Sequence, residues 1–372
     1  MTIASTVLKP LVLSYVLDWI VIIGIAAVGA GFWKVHGNHR PFSPVDPSIS
    51  FPYVEHEKIT TSVLAILSLL VPAVITALVA LILTPGPRVS ENLSKASLWR
   101  YKLWEWNAAW LGLGLGLATT FFFTEGLKNV IGKPRPDLLS RCNLDPAMVQ
   151  QYALGGEGGQ LPLWNLLVSS TACRQPDASK LRDGFASFPS GHSSFSWTGM
   201  FYLALYLCSK FSITIPYLLP YQYSVTDQTR YSGSQNAYDD DQPKDDGLPT
   251  QYSTSVPLRR QAAAPPAYLF VLPLIPISIA TYIASTRYSD FRHHGFDILF
   301  GSLMGMLSSS ISFRVYHLPV RRGAGWSWGP RSASRAFGIS IGVGRYTESM
   351  EQSPKRRDLE MGPNGASTST EG

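Results

Sequence analysis

Six long runs of apolar residues alternate with polar segments along the chain. They lie at Leu11–Trp33, Thr61–Leu83, Trp106–Leu127, Ser193–Lys210, Ala267–Ser285 and Ile298–Tyr316. Each run approaches or reaches the roughly 20 residues that a helix needs to cross a bilayer core of about 30 Å. A soluble protein with buried helices would need amphipathic partners and more polar surface than these runs supply. The pattern therefore predicts an all-α polytopic membrane protein with six transmembrane helices.

The composition agrees with a membrane protein, and the distribution of charge predicts its orientation. Only 15% of the 372 residues are charged and 45% are hydrophobic, whereas a soluble protein carries roughly 25% charged residues. Short loops rich in Lys and Arg tend to remain in the cytosol. With the N-terminus in the cytosol, the cytosolic segments hold 19 of the 31 basic residues and the opposite side holds 12. We therefore expect both termini to be cytosolic.

The order of apolar and polar segments predicts four parts of the chain. Residues 1–210 hold the first four spans, and residues 267–319 hold the last two. Between them, residues 211–266 are rich in Ser, Gln, Asp and Pro, a composition typical of a disordered linker. Residues 320–372 form a low-complexity tail. The charge distribution places both the linker and the tail in the cytosol.

The loop between the third and fourth spans lies on the predicted lumenal or extracellular side. It runs from Asp137 to Ala186 and is long enough to form a lid over a pocket. It contains Cys142 and Cys173, and disulfides form on the oxidising side of a membrane. We therefore expect a Cys142–Cys173 disulfide, the alternative being two unpaired thiols.

The first chemically distinctive segment, Lys128 to Pro136 (KNVIGKPRP), follows the third span. Lys128 ends the span, and Pro134 and Pro136 prevent the helix from continuing through Arg135. A guanidinium held on such a turn can bind two phosphate oxygens at once. Taken alone, however, these residues could be ordinary cations that flank a membrane span.

The second segment, Phe188 to Ser193 (FPSGHS), precedes the fourth span. Ser190 is typical of a helix cap, and Gly191 lets backbone amides approach a ligand closely. Amides at a helix start, helped by the helix dipole, bind anions. His192 would then be placed to donate a proton to a leaving oxygen. The alternative is an ordinary Ser-capped helix with a His at the membrane interface.

The third segment, Thr286 to Asp297 (TRYSDFRHHGFD), leads into the sixth span and contains Arg287, another candidate phosphate ligand. His293 and Asp297 are four residues apart, so they lie on one face of the sixth helix if that helix begins at or before His293. An Asp that accepts a hydrogen bond from one ring nitrogen would leave the other nitrogen free to attack phosphorus. His294 is expected to have a supporting role at most.

Together these patterns, Lys-x6-Arg-Pro, Pro-Ser-Gly-His and Arg-x5-His-x3-Asp, resemble the three signature motifs of the type 2 phosphatidic acid phosphatase family, also called lipid phosphate phosphatases. The six-span layout extends the resemblance over roughly the first 320 residues. The third motif usually begins with Ser-Arg; this chain has Thr286 before Arg287, which keeps the hydroxyl. The first two spans, the Pro-rich first loop and the long cytosolic insertion are most similar to the fungal branch that acts on diacylglycerol pyrophosphate and phosphatidate.

The resemblance implies metal-independent hydrolysis of membrane lipid phosphates, including lysophosphatidate, with no cofactor. His293 would form a phosphohistidine supported by Asp297, and His192 would protonate the leaving group and later activate water. The phosphate would be bound by Lys128, Arg135, Ser190, Gly191 and Arg287. The expected partners are phosphorylated lipids and the bilayer, not nucleic acid. The expected location is an endomembrane (vacuole, endoplasmic reticulum or Golgi) or the plasma membrane, with the site lumenal or extracellular.

Three alternatives remain at this point. A sphingoid-base phosphate or a polyprenyl pyrophosphate could replace the glycerolipid. A phosphatase-like protein could bind or transport lipid without catalysis, although such a protein would be expected to lose His192, His293 or Asp297. The family pocket is also shared with vanadate-dependent haloperoxidases, but these are soluble enzymes, and six apolar runs argue against them.

Overall fold

The computed structural model of the protein describes residues 2–91, 93–154, 166–216, 263–320, 325–332, 335–337 and 346. Most of the predicted linker (217–262) and most of the predicted tail lie outside the described residues. Where it is described, the chain is mostly helical.

Nine α-helices, four short 3₁₀ helices and one short hairpin make up the described fold. The helices are α1 (Thr2–Lys34), α2 (Thr61–Leu83), α3 (Pro87–Ser90), α4 (Lys95–Ile131), α5 (Leu138–Cys142), α6 (Ala178–Gly184), α7 (Gly191–Lys210), α8 (Val271–Ser289) and α9 (Gly295–Tyr316). A short 3₁₀ helix, Ala267–Phe270, leads into α8, and α2 contains two π-helical stretches, Ile66–Leu70 and Val79–Leu83. Strands β1 (Ala153–Leu154) and β2 (Leu167–Val168) pair antiparallel. Each of the six predicted runs falls within one of these helical segments.

Four helical segments in the described part of the chain are long and apolar enough to cross a membrane. They are Pro10–Lys34, Thr61–Leu83, Ala267–Ser289 and Gly295–Tyr316. Large apolar side chains cover their outer surfaces, among them Ile82, which is 66% exposed, and Leu299, which is 71% exposed. Such a surface is typical of contact with lipid. The chain therefore has the character of an integral membrane protein.

The two remaining predicted spans correspond to α4 and α7, which are more polar. Helix α7 contacts α2, α4, α8 and α9. Its hydroxyl groups face α4, where Ser194 lies 2.9 Å from Thr124 and Thr198 lies 2.8 Å from Thr120, oxygen to oxygen. Hydrogen bonds of this kind hold helices together inside a membrane protein. The composition of α7 thus reflects its protein neighbours, which is why its hydropathy is lower than that of the outer helices.

Glycines allow α7 to approach its neighbours closely. A Cβ on Gly199 of α7 would collide with the carbonyl oxygen of Ser68 in α2. A Cβ on Gly305 of α9 would collide with the carbonyl oxygen of Ser194. Small residues at such contacts are typical of helix packing in membranes. This packing fixes the starts of α7 and α9 side by side.

A cap covers one end of the helical bundle; we use this name for residues 35–60, 132–154 and 166–190. A buried apolar cluster joins residues 35–60 to the rest of the cap. It consists of Phe42, Ile49, Leu138, Cys142 and Phe185. The backbone of Phe42 pairs with that of Val168, and a disulfide joins Cys142 to Cys173. The cap thus combines the first loop of the chain with the described part of the loop for which a lid was predicted.

Candidate active site

The three motif segments meet at the capped end of the bundle. Gly132, at φ +58°, ends α4 in the left-handed conformation that favours glycine, and the first motif continues from there. The amide of Ser187 donates to the carbonyl of Lys133 (3.0 Å), and the amide of Ser190 donates to the carbonyl of Asp297 (3.1 Å). Backbone hydrogen bonds therefore join the second segment to both of the others.

Lys128 and Gly191 come together between α4 and α7. A Cβ on Gly191 would lie 3.3 Å from the Nζ atom of Lys128, so the glycine leaves room for the ammonium group. Ser190 caps α7, and its hydroxyl accepts from the amide of Ser193. Lys128 Nζ also donates to Glu125 Oε1 at 2.7 Å. A cation and a helix start thus face the same space, an arrangement suited to an anion.

Arg135 is buried where the cap meets the bundle. Its amide donates to the carbonyl of Gly184 (2.8 Å), which fixes the backbone. Its Nη2 donates to Asp183 Oδ1 at 2.8 Å and more weakly to the carbonyl of Ala186. Its Nε has no partner among the described residues. The guanidinium is therefore held by one carboxylate and keeps donor capacity for a ligand.

Arg287 is 1% exposed and lies at the end of α8. Its Nη1 donates to Glu57 Oε2 at 2.6 Å, and its Nη2 donates to Asp290 Oδ2 at 3.1 Å. The hydroxyl of Thr286 accepts from both Nε and Nη2 of Arg287. Thr286 thus supplies a hydroxyl contact to the arginine at the position where the family motif usually has Ser.

His192 sits at the start of α7, before the predicted span. Its Nε2 lies 3.1 Å from the carbonyl oxygen of Ile59 and 4.0 Å from Glu57 Oε2. Since a carbonyl only accepts, Nε2 carries the hydrogen in this contact. Burial, followed by the charges of Arg287 and other nearby cations, lowers the pKa of His192 to about 3. The ring is therefore neutral while no anion is bound.

His293 lies between α8 and α9 and is 3% exposed. Its Nδ1 lies 2.6 Å from the carbonyl oxygen of Ser187, so Nδ1 carries the hydrogen and Nε2 keeps its lone pair. Burial, followed by the charge of Arg135, lowers the pKa of His293 well below its usual value. The result is a neutral imidazole with a fixed orientation, which is the form that acts as a nucleophile.

Asp297 does not make the hydrogen bond to His293 that the sequence predicts. Helix α9 begins at Gly295, so His293 precedes the helix and the i to i+4 relation does not apply to it. Asp297 instead accepts from the hydroxyl of Ser187 (2.6 Å), from Lys133 Nζ (2.7 Å) and from the amide of His294 (3.2 Å). The link from Asp297 to His293 is therefore indirect: the carboxylate binds the hydroxyl of Ser187, and the carbonyl of Ser187 contacts His293.

Sequence reasoning missed several residues of the site. Lys133 stands inside the first motif segment and Ser187 directly precedes the second, so their positions carried a weak signal. Glu57 and Ile59 belong to the first loop, where no pattern pointed to them. His294, expected to support the site at most, lies 3.2 Å from Asp297, Nδ1 to Oδ2. It forms a capping box with Asp297.

The charged groups of the site alternate in sign. Arg135 contacts Asp183, Asp183 lies 3.5 Å from Arg292, Arg292 contacts Glu57, and Glu57 contacts Arg287. Among the described residues, no three His, Cys, Asp or Glu side chains are grouped so that they could hold a metal ion. The described residues present cations and backbone amides to a ligand, and these groups surround two neutral imidazoles. This arrangement suits binding of an anion and attack on it by nitrogen.

The chain is similar in sequence to a family of known proteins. Residues 109–321 match the sequence model of the PAP2 superfamily, a stretch that contains all three motif segments. The chain is 27% identical to diacylglycerol pyrophosphate phosphatase 1 of Saccharomyces cerevisiae, over 76% of this chain and 72% of that protein. It is also 27% identical to a probable diacylglycerol pyrophosphate phosphatase 1 of Schizosaccharomyces pombe, over 76% and 73%. A probable lipid phosphate phosphatase 4 of Arabidopsis thaliana is 22% identical over 80% and 70%. No solved structure matches the chain.

Proposed function

The chain belongs to the PAP2 superfamily, and on that basis we propose that it is a phosphatase of membrane lipid phosphates. Its relatives in two yeasts are named diacylglycerol pyrophosphate phosphatases, and a plant relative is named a lipid phosphate phosphatase. The observation that carries the proposal is the orientation of His293. The carbonyl of Ser187 fixes its Nδ1–H, so that the lone pair of Nε2 is available to phosphorus.

In the first step, Nε2 of His293 attacks phosphorus as the bond from phosphorus to the leaving oxygen breaks. Lys128, Arg135 and Arg287, with the amides behind Ser190 and Gly191, bind the phosphate oxygens and compensate the charge that develops there. His192 donates a proton to the leaving oxygen. The bound phosphate dianion favours protonation of His192, which is neutral in the free site. The products are a phosphohistidine and the free lipid alcohol, or a lipid monophosphate when the substrate is a pyrophosphate.

In the second step, water replaces the histidine at phosphorus. His192, now neutral, takes a proton from the water as the oxygen–phosphorus bond forms and the nitrogen–phosphorus bond breaks. Inorganic phosphate leaves, and His293 returns to its neutral form. Asp297 and Lys133 hold Ser187, and therefore the ring of His293, in place through both steps. No metal takes part in either step.

The substrates we propose are phosphatidate, lysophosphatidate and diacylglycerol pyrophosphate. The names of the yeast relatives support the glycerolipid class. The position of the motifs at the ends of apolar helices supports it too, because acyl chains can stay in the bilayer while the phosphate reaches the site. A sphingoid-base phosphate or a polyprenyl pyrophosphate is the alternative substrate.

We also propose that all six apolar segments cross the membrane, with the capped end lumenal or extracellular and both termini cytosolic. The part of α7 that we propose to cross the membrane is Ser193–Lys210, and its length is within the range of about 17–25 residues that spans a bilayer core. A disulfide in the cap supports an oxidising environment at that end. An endomembrane or the plasma membrane satisfies this orientation.

The test is phosphate release by the purified protein in detergent micelles with EDTA present. The substrates are phosphatidate, lysophosphatidate, diacylglycerol pyrophosphate and sphingosine phosphate, each at the same mole fraction. We expect release from the glycerolipids that EDTA does not reduce. No release from any of the four lipids would contradict the function, and loss of activity with EDTA would contradict the metal-independent mechanism.

A further inference from the structure

Glu57 brings a carboxylate from the first loop into the phosphate-binding site. Its Oε2 accepts from Arg287 Nη1 at 2.6 Å, and its Oε1 pairs with Arg292 Nη2 at 2.8 Å. The same Oε2 lies 4.0 Å from His192 Nε2. An anion thus already occupies the face of Arg287 that lies towards His192, one of the two histidines assigned to the chemistry.

The other carboxylates around the motif cations belong to more firmly fixed parts of the site. Glu125 lies one helical turn before Lys128 in α4, and Asp290, which is 2% exposed, lies three residues after Arg287. Asp183, beside Arg135, is 43% exposed, but it pairs with three guanidinium groups, those of Arg135, Arg141 and Arg292. Glu57 is 230 residues away from Arg287 in sequence, stands outside the helices, and its side chain is 25% exposed. Among these carboxylates, it is the one that a ligand can most easily replace.

The backbone next to Glu57 accepts a hydrogen bond from a second group of the site, the ring of His192. The carbonyl of Ile59 accepts from His192 Nε2, while the amide of Lys58 donates to Asp290 Oδ2 at 3.1 Å. The segment 57–59 therefore offers Arg287 an anionic oxygen and offers His192 a neutral acceptor. A phosphate ester offers the same two groups, a charged phosphate oxygen and a bridging oxygen that accepts a proton.

We propose that Glu57 is an internal competitor of phosphate for Arg287, and that it sets the affinity of the site for substrate and for inorganic phosphate. The inference rests on the proposed function, because it takes this pocket to be the phosphate site. When phosphate arrives, Arg287 exchanges the carboxylate of Glu57 for phosphate oxygens. The contact between Glu57 and His192 is lost in the same exchange.

Arg292 makes this exchange possible without leaving Glu57 unpaired. It is 4% exposed, and its Nη2 also donates to the carbonyl of Val54, which fixes its position. It holds Oε1 of Glu57, the oxygen that does not contact Arg287. Glu57 can therefore release Arg287 and keep one charged partner, so its displacement costs less than breaking an isolated buried ion pair.

The test compares the wild-type protein with Glu57→Gln in detergent micelles. The dissociation constant of inorganic phosphate is measured by ³¹P NMR titration, which does not depend on turnover. Because the variant keeps the size of the side chain and loses its charge, we expect phosphate to bind about fivefold more tightly, which corresponds to about 1 kcal/mol. The KM for phosphatidate should fall in the same direction. Glu55→Gln removes an exposed carboxylate two residues away and is the matched control, with an unchanged constant.

An unchanged or weaker phosphate affinity in Glu57→Gln would overturn the inference, and a weaker one would show that Glu57 positions Arg287 instead. If Glu57→Gln does not fold, Glu57→Asp serves in its place. It keeps the charge and withdraws the carboxylate by one methylene, so we expect tighter phosphate binding by a smaller factor, and an unchanged or weaker affinity would again overturn the inference. A wild-type protein that binds phosphate but releases none from lipids would contradict the proposed function and leave the competition measurable.

Discussion

The Nδ1 atom of His293 lies 2.6 Å from the carbonyl oxygen of Ser187. The backbone, not a carboxylate, therefore selects the tautomer of this imidazole. A carbonyl cannot donate a hydrogen bond, so the contact requires hydrogen on Nδ1 and leaves Nε2 unprotonated. Asp297 contributes at one remove, through the hydroxyl of Ser187.

Replacing the proposed nucleophile should abolish the reaction. His293→Ala removes the attacking nitrogen, and we expect phosphate release to fall by at least about 10³-fold. A phosphoenzyme that is stable to alkali and labile to acid should form in the wild-type protein and be absent from the variant. His36→Ala, which alters an exposed histidine, is the control. Substantial activity in His293→Ala would assign the attack to another group.

Removing the charge that holds Ser187 should lower turnover more than it changes substrate binding. In Asp297→Asn the bond to the Ser187 hydroxyl loses its charge assistance, and Lys133 loses its charged partner. Hydrogen bonds to charged groups contribute about 1.5–3 kcal/mol, so we expect kcat to fall about 10- to 100-fold.

Ser187→Ala separates the two roles of Ser187. This variant keeps the carbonyl that orients His293 and loses only the hydroxyl, so its kcat should fall less than that of Asp297→Asn. Steady-state kinetics on phosphatidate micelles give kcat and KM separately. A change confined to KM in both variants would argue against a positioning role.

Stability should fall as the pH is lowered through the range in which free histidine titrates. His192 and His293 have lowered pKa values in the folded protein, so below about 6.5 the unfolded chain binds protons that the folded chain does not. The free energy of unfolding is therefore highest above pH 6.5 and decreases towards pH 5. Thermal unfolding midpoints measured from pH 7.5 to 5 should show this fall.

The pH dependence can be assigned to one histidine by substitution. His192→Gln should flatten the fall in the unfolding midpoint between pH 6.5 and 5, because glutamine does not titrate. His36→Gln, at an exposed position, should leave the slope unchanged. Equal slopes in the wild-type protein and His192→Gln would show that His192 makes no contribution.

Reduction of the disulfide should loosen the cap. The Cys142–Cys173 bond joins two positions that are 31 apart in the sequence, and its loss typically costs about 2–4 kcal/mol. Cys142 ends α5 and directly follows Arg141. Arg141 pairs with Asp183, and Asp183 in turn pairs with Arg135. We expect dithiothreitol to lower both the unfolding midpoint and kcat.

Two variants control the disulfide test. The double variant Cys142→Ser and Cys173→Ser should already show the lower midpoint, and dithiothreitol should not change it further. Cys208→Ser, which removes a free cysteine in α7, should respond to dithiothreitol as the wild-type protein does. Free thiols at Cys142 and Cys173 in protein isolated from the cell would argue against a lumenal or extracellular cap.

The sequence predicted helices where the chain has them, because apolar runs of 20 residues can satisfy their backbone in lipid only as helices. It did not distinguish the outer helices from α7. Serines and threonines of α7 are buried against α4 and hydrogen-bonded there, which the apolar pattern of the sequence did not indicate. The composition of a helix gives its average polarity, but it does not show which neighbouring helix its polar side chains contact.

At the candidate site, the sequence by itself determined which groups we propose as reactive. The motifs supplied His192, His293 and the three cations, and prolines and glycines placed them where helices begin or end. Only the tertiary structure decided the partners. Ser187 lies 106 residues from His293, and Glu57 lies 230 residues from Arg287. Local periodicity carries no information over such distances, because these contacts depend on how helices and loops pack together in space.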